Sequence, residues 1–460
     1  MKKVEDVIDE ARMAGILEGA RGRSAEGVEA ILSKGRARAG LTPAEAARLL
    51  FVEDEEGLER IFEAAGEVKR EIYGERLVLF APLYVSNFCV NDCAYCGFHR
   101  TNEGERVRLS TREIAGETRA LIEMGHKRVL LECGEHPGLN TMDFVTEAIS
   151  TIYSTKSGNG EIRRINVNIA PPGPGGFRRL KAAQIGTYQL FQETYHRETY
   201  EALHGEGPKA DYARQLFAHD AAFEAGIDDV GLGVLFGLHD YRFEVLGLIS
   251  HALYLERTFG VGPHTVSVPR LRPAPGVSME RGRSVTDQEL LKIIAVLRLT
   301  LPYTGIILST REREGLRARG FEIGVSQASA GSAAAPGGYG ARPKTAAQFS
   351  LGDERTVEGL LKSALASGIL PSFCTACYRR ERTGEAFMAL ARPGDIASLC
   401  RPNAILTFKE YLEDYAAADV REEGGAVIDR YLPMIGDAGL REETKRRMRM
   451  IEAGRRDLFF

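Results

Sequence analysis

From residue 77 onward the chain alternates short β-rich runs with amphipathic helical patterns, and no other feature restricts its fold so tightly. Eight such runs stand at 77–85, 128–132, 165–170, 187–192, 229–235, 265–268, 305–310 and 321–326. Between them Ser110-Thr111-Arg112-Glu113 opens a helix with a capping box and Gly125 closes it. A second helical pattern covers 210–225 and ends at Gly226, and Thr286-Asp287-Gln288-Glu289 caps a third. Strands separated by helices imply a parallel sheet. Eight units over roughly 250 residues predict a closed (β/α)8 barrel of the TIM type. An open doubly wound sheet shares the local pattern, and the count alone does not exclude it.

Residues 1–75 read as a helical extension. Thr42-Pro43-Ala44-Glu45 carries an N-cap, a proline at the first helical position and a capping-box glutamate, and an amphipathic stretch over 55–73 ends at Gly74. After the barrel, 329–339 is rich in Ala, Gly and Ser and reads as a loop leaving it. The expected organisation is an extension at 1–75, a barrel at 76–340 and a mainly helical region at 341–460, with helices around 357–367, 407–418 and 442–452. The 460 residues are 44% hydrophobic, enough for a sizeable core, and the formal net charge is -4. No basic stripe points to a nucleic-acid partner and no polybasic run to a membrane surface. Met1-Lys2-Lys3 runs straight into Val4-Glu5-Asp6 without an apolar signal core, so a cytoplasmic location is expected.

Six of the seven cysteines fall into two sets of three: Cys89-x3-Cys93-x2-Cys96 and Cys374-x2-Cys377-x22-Cys400. In a reducing compartment, clustered cysteines read as metal ligands rather than disulfides. Three thiolates leave one corner of a four-iron cluster without a protein ligand, whereas an electron-transfer cluster normally has four. Two such sets predict two [4Fe-4S] clusters that each bind something at an open iron. A zinc site completed by His99 is the alternative for the first set, but zinc clips favour paired two-residue spacings.

The first set follows the first strand, at the C-terminal mouth where barrel loops build active sites. Its C-x3-C-x-aromatic-C pattern, with Tyr95 before Cys96 and Gly97-Phe98 after it, resembles the radical S-adenosylmethionine (SAM) superfamily. The resemblance implies that the open iron chelates the amine and carboxylate of SAM, and that an electron from the cluster releases a 5′-deoxyadenosyl radical. It also implies cofactor-binding roles along the mouth, Tyr95 among them. Glu132-Cys133-Gly134-Glu135 follows the second strand, where the superfamily places a Gly-Gly-Glu-like turn against the methionine amine, and here Cys133 replaces the first glycine. Glu193 ends the fourth strand and can accept from the ribose or the amine. Arg214 lies on the next helix with a fork suited to a carboxylate, and Gly231-x-Gly233 can admit adenine.

The second set, Phe373-Cys374-Thr375-Ala376-Cys377-Tyr378-Arg379 with Cys400-Arg401-Pro402-Asn403 downstream, resembles the tyrosine-cleaving radical SAM maturases of [FeFe]-hydrogenase. Asn166-Val167-Asn168-Ile169-Ala170-Pro171, Gln192-Glu193-Thr194-Tyr195-His196-Arg197, Gly233-Val234-Leu235-Phe236-Gly237 and Gly262-Pro263-His264-Thr265 extend the likeness over nearly the whole chain. The stretches 172–176 and 333–336 depart from it, and neither touches a cysteine. The family implies that tyrosine is cleaved at Cα–Cβ to p-cresol and dehydroglycine. The dehydroglycine becomes carbon monoxide and cyanide at the second cluster, beside an additional iron held by His264. Its partners are a low-potential electron donor and the hydrogenase-maturation proteins. His264 stands just before the sixth strand, the barrel end opposite the mouth. Arg311, after the seventh strand, is the candidate for the tyrosine carboxylate, and an ion pair with Glu312 or Glu314 is its plainer reading. Two other functions stay open: a tyrosine lyase (2-iminoacetate synthase) of thiamine biosynthesis, which should not need the second set, and a non-catalytic iron–sulfur carrier.

Overall fold

The structure, a computed structural model, describes residues 2–23, 27–278, 282–340, 346–392 and 396–460. Eight parallel strands form a barrel: β1 (Arg76–Ser86), β2 (Arg128–Cys133), β3 (Arg164–Asn168), β4 (Tyr188–Gln189), β5 (Val230–Gly233), β6 (Thr265–Ser267), β7 (Gly305–Leu308) and β8 (Gln327–Ser329). β8 returns to β1 in the register Val78–Gln327, Leu79–Ala328, Phe80–Ser329, which closes the cylinder and excludes the open sheet.

The two faces of each strand differ in chemistry. On β1, Leu77, Leu79, Ala81, Leu83 and Val85 point outward into the main core, while Phe80, Pro82 and Tyr84 line the central cavity. The other strands present small or polar groups to the lumen, among them Asn168, Gln189, Ser267 and Ser329, beside the apolar Leu130 and Ile307. Barrels whose interior is layered with Val, Ile and Leu are solid; this one keeps a chamber.

The polar lumen also explains a misplaced strand. The run expected at 321–326 is the end of a helix (Glu314–Ile323) and the turn after it, and β8 lies just beyond. Of Gln327, Ala328 and Ser329 only Ala328 joins the outer core, so β8 carries no alternating apolar signal, whereas Phe321, Ile323 and Val325 do pack outward. The helix expected over 210–225 is two, Tyr212–Leu216 and Ala218–Glu224, broken at Phe217.

The N-terminal helices Glu10–Ala20, Val28–Arg36, Pro43–Leu50 and Glu55–Tyr73 share the main core with the barrel. The capping boxes at Thr42, Ser110 and Thr286 form as expected. The small-residue segment after β8 does not leave the barrel. Its Tyr339 hydroxyl donates to the Pro82 carbonyl at 2.6 Å, and Ser332 and Ala333 line the cavity, so it folds back over the mouth. The expected start of the C-terminal region, 341–345, lies outside the described residues. Beyond it a helix (Val357–Ala366) leads to β9 (Leu370–Ser372), followed by helices Ala376–Arg379, Gly384–Ala391, Ile396–Asp414, Ala418–Tyr431 and Ala438–Glu452. The helix expected at 407–418 is the second half of Ile396–Asp414. Among the described residues no helix is long and apolar enough to cross a membrane.

β9 extends the sheet beside β1 through Arg76–Leu370 and Val78–Ser372. It thereby docks the C-terminal region on the N-terminal end of the barrel, opposite the mouth. A buried carboxylate secures the joint. Glu410, 1% exposed, bonds Arg163 through both oxygens, lies 3.5 Å from Lys127 Nζ and accepts the Asp457 N–H at 3.0 Å. Removing it takes from buried Lys127 the carboxylate beside it and leaves Arg163 with Asp457, whose Oδ1 lies 3.0 Å from its Nε. Glu410→Ala is therefore expected to cost roughly 3–5 kcal/mol. Urea unfolding measures this, and a loss below about 1 kcal/mol, the scale of an exposed pair, would show that the network contributes little.

Candidate functional site

The loop after β1 carries the first cysteine set and is pinned on several sides. Val90 N donates to Glu135 O at 2.7 Å, Asp92 N to Glu206 O at 3.0 Å, Ala94 N to Leu203 O at 3.0 Å and Gly97 N to Gln348 O at 3.1 Å. Cys89, Cys93 and Cys96 thereby converge on one cavity of about 180 Å³ at the mouth. Burial pushes the Cys96 thiol up to about 11 and raises Cys93 further, so these groups need a metal to become thiolates at neutral pH. Donors already face the sulfurs: Asn91 Nδ2 lies 3.7 Å from Cys89 Sγ and Phe98 N 3.4 Å from Cys96 Sγ. His99 turns away, its Nδ1 near Asp92 (3.2 Å) and Thr101 (3.0 Å) and its Nε2 near the Gly276 carbonyl (3.3 Å). The zinc alternative thus loses its fourth ligand. Among the described residues no three His, Cys, Asp or Glu side chains gather tightly enough for a single ion. Three thiols spread around a chamber suit a polynuclear cluster.

Tyr95, Gly134, Glu135 and Glu193 line the same cavity. At Gly134 a Cβ would run into the Phe88 carbonyl oxygen and come within 3.0 Å of Cys89 Cβ, so glycine lets β2 meet the cysteine loop. Cys133, at the position where the superfamily favours glycine, fits beside it, lining the cavity and packing against the main core. Glu135 accepts from Asn91 Nδ2 at 2.8 Å and from Arg214 Nη2 at 2.6 Å. Arg214 does not line the cavity. Among the described residues its other terminal nitrogen, Nη1, is buried without a partner behind Glu135. Glu193 holds a left-handed backbone (φ +69°), unusual for a residue with a side chain. The next turn fixes it: buried Glu244 binds the Thr194 hydroxyl and accepts the Tyr195 N–H at 2.8 Å. The room at Gly231 and Gly233 goes to lumen side chains rather than open space. A Cβ would sit 2.6 Å from Thr265 Oγ1 at the first and inside the Phe191 ring at the second.

Lys209 was not legible in the sequence. A short turn after Gly207 (φ +97°) brings its Nζ to 2.7 Å from Glu193 Oε1. Burial opposes its charge, but Glu193 and Cys93 hold its pKa above the usual range. On the opposite wall Arg311 stacks on Phe349 at 3.4 Å from the ring centroid. Its plainer reading fails, because Glu312 is taken by Arg270 and Arg272, and Glu314 by Arg355. Among the described residues no carboxylate pairs with it, and burial lowers its pKa. Burial also raises nearby Glu132 to about 7.

The second cysteine set occupies the other end of the barrel. Cys374 follows β9, Cys377 lies in the short helix Ala376–Arg379, and Cys400 in Ile396–Asp414. Burial, then Cys400 and Cys374, push Cys377 up to about 12, so the three thiols share one site. Arg76, at the start of β1, faces them. Burial opposes its charge, yet Cys400, Cys374 and Cys377 keep its pKa above the ordinary value, and among the described residues its buried Nε has no partner. A cation among three thiols is a donor set that fits an anionic iron–sulfur cluster. His264 is here as well, its ring 4.8 Å from Phe387 and 6.1 Å from Tyr378. Its place before β6 is at the N-terminal end, as the sequence implies, and the second cysteines are at that end too. The ten residue steps of β1 between Arg76 and Ser86 put the two sites roughly 30 Å apart. Arg128 joins the lumen to the lower site, donating to Gln327 Oε1 at 2.9 Å and to the Cys374 carbonyl at 2.7 Å.

Comparison with known proteins agrees with this layout. The chain matches the Radical SAM superfamily over residues 83–249 and the Biotin and Thiamin Synthesis associated domain over residues 267–369. It is 33% identical to the 2-iminoacetate synthase of Escherichia coli (strain K12), over 68% of this chain and 82% of that protein. The crystal structure of HydG, a maturase of the [FeFe]-hydrogenase, is 49% identical with a TM-score of 0.97, covering 99% of this chain and 100% of that one. HydG from Carboxydothermus hydrogenoformans is 42% identical with a TM-score of 0.86, covering 98% of this chain and 100% of that one. Membership implies a SAM-binding [4Fe-4S] cluster and SAM itself. With its closed barrel, its cysteine-lined mouth and this full-length likeness, the chain belongs to the radical SAM superfamily of enzymes and, within it, to the HydG family.

Proposed function

We propose that this enzyme cleaves L-tyrosine at Cα–Cβ to p-cresol and dehydroglycine in the mouth chamber. The dehydroglycine is converted to carbon monoxide and cyanide at the second cysteine set, for assembly of the [FeFe]-hydrogenase cluster. One observation carries this beyond a thiamine-type tyrosine lyase. The biotin and thiamin synthesis match ends at residue 369, short of the second cysteine set, and the 2-iminoacetate synthase match spans 68% of the chain, whereas both HydG structures span at least 98%. When bound, a SAM-ligated cluster on Cys89, Cys93 and Cys96 supplies the adenosyl radical, and an auxiliary cluster on Cys374, Cys377 and Cys400, with an additional iron at His264, supplies the acceptor for diatomic ligands.

The chain's own groups do the rest. Glu135, Glu193 and Lys209 form a charged rim on the SAM side of the chamber, with Arg214 backing Glu135 from outside it. Arg311, held against Phe349, binds the tyrosine carboxylate. Phe80, Leu130 and Ile307 form an apolar patch that suits the phenol ring. The segment folded over the mouth keeps water from a radical. Free carbon monoxide and cyanide would diffuse away, so forming them beside a metal keeps them. A low-potential electron donor and hydrogenase-maturation proteins are the partners this reading requires.

Anaerobic incubation with SAM, dithionite and tyrosine tests it, reading 5′-deoxyadenosine, p-cresol, carbon monoxide and cyanide. All four are expected. p-Cresol without either diatomic would favour the thiamine-type lyase, and no 5′-deoxyadenosine would favour a carrier. Arg311→Met is expected to raise the tyrosine KM about 10- to 100-fold, the scale of a lost hydrogen bond to a charged group, while SAM is still cleaved without product. An unchanged KM would remove Arg311 from the pocket.

A further inference from the structure

The floor of the barrel holds a carboxylate that accepts no hydrogen bond. Asp229, just before β5, is 2% exposed, and among the described residues neither of its side-chain oxygens has a hydrogen-bond partner. Burying a carboxylate in that condition is costly, so such groups are normally paired. Its polar neighbours make their short hydrogen bonds elsewhere, although Thr187 and Arg164 stand close enough to favour its charge. The Thr187 hydroxyl pairs with Tyr378 Oη at 3.0 Å. Arg164 binds the Ile185 carbonyl, and Arg128 binds Gln327 and the Cys374 carbonyl. Both guanidinium groups lie over the Tyr378 ring, at 5.0 and 5.4 Å. What faces Asp229 is His264, whose Nδ1 stands 3.6 Å from Oδ2, just beyond hydrogen-bond range. The imidazole is wedged between Phe387 and Tyr378, the latter adjoining Cys377. With Nδ1 toward Asp229, Nε2 is the nitrogen left for another partner.

We infer that Asp229 is a positioning residue. It accepts a hydrogen bond from the Nδ1–H of neutral His264, which leaves Nε2 unprotonated as the ligand to the additional iron beside the second cysteine set. The inference rests on the proposed reading of that site and names the residue that makes His264 a ligand. A neutral imidazole binds metal through its unprotonated nitrogen, and the tautomer is set by what the other nitrogen donates to. A small rotation of the ring closes the 3.6 Å gap to a hydrogen bond and satisfies the otherwise orphaned carboxylate. Asp229 touches no metal and acts through His264.

The test uses full-length protein, purified anaerobically and reconstituted with iron and sulfide, then titrated with Fe²⁺ alone. The readouts are iron bound per chain and the electron paramagnetic resonance of the second cluster, with the SAM-responsive signal of the first cluster as the check of folding. In wild type a final Fe²⁺ should bind, and in His264→Ala that event should vanish. Asp229→Asn should weaken it about 10- to 100-fold, the usual effect of removing a ligand's supporting partner, with the first signal intact. Identical titrations of wild type and His264→Ala would overturn the reading of the second site. Loss in His264→Ala with wild-type affinity in Asp229→Asn would overturn the role of Asp229 alone. Should Asp229→Asn lose the folding signal, Asp229→Glu replaces it. The extra methylene displaces the acceptor, so affinity should fall several-fold, and unchanged affinity there overturns the inference.

Discussion

Replacing Cys89, Cys93 or Cys96 by alanine should each reduce 5′-deoxyadenosine formation to background. The three thiols converge on one cavity and burial keeps at least two of them neutral until a metal displaces the proton. A lost thiolate has no substitute: His99 is engaged with Asp92, Thr101 and Gly276, and Cys133 projects from β2 rather than from the cysteine loop. The SAM-responsive paramagnetic signal should disappear with the product. Unchanged 5′-deoxyadenosine from all three variants would overturn the placement of the SAM cluster.

The second large effect separates the two ends of the barrel. Changing Cys374 and Cys377 together to alanine should leave p-cresol formation largely intact and sharply reduce carbon monoxide. The mouth chamber shares no residue with the lower site, and the length of β1 lies between them. The fold should survive, because the C-terminal region is held by β9 and by the Glu410 network rather than by these thiols. If the yield of carbon monoxide per p-cresol stays at the wild-type level, the second set is structural or transfers electrons, and the proposed function fails.

How much of this was legible in the chain differs residue by residue. Both cysteine sets were, because thiolate ligands must lie within a few residues or on one fold-defined face, and spacing survives in sequence. The positions of Glu135, Glu193 and Arg311 at strand ends followed from the barrel's polarity, since strand C-termini share one face. Lys209 and Asp229 gave no signal. One is delivered by a turn from a neighbouring loop and the other is notable only for what it lacks, a hydrogen bond. β8 escaped because its lumen side is polar.

The deeper division concerns which end of the barrel is which. The alternation of strands and helices determined a parallel α/β sheet, and the two cysteine spacings determined two three-thiol sets, because period and spacing are local properties of a chain; closure into a barrel was decided only by the pairing of β8 with β1. Their separation was not local. Only the pairing of β9 with the start of β1 placed Cys374, Cys377 and Cys400 at the end opposite the mouth, and so put them beside His264. That pairing joins residues some three hundred positions apart, Arg76 with Leu370. It is decided by where a three-residue strand finds unpaired backbone donors and acceptors, which no window of sequence contains.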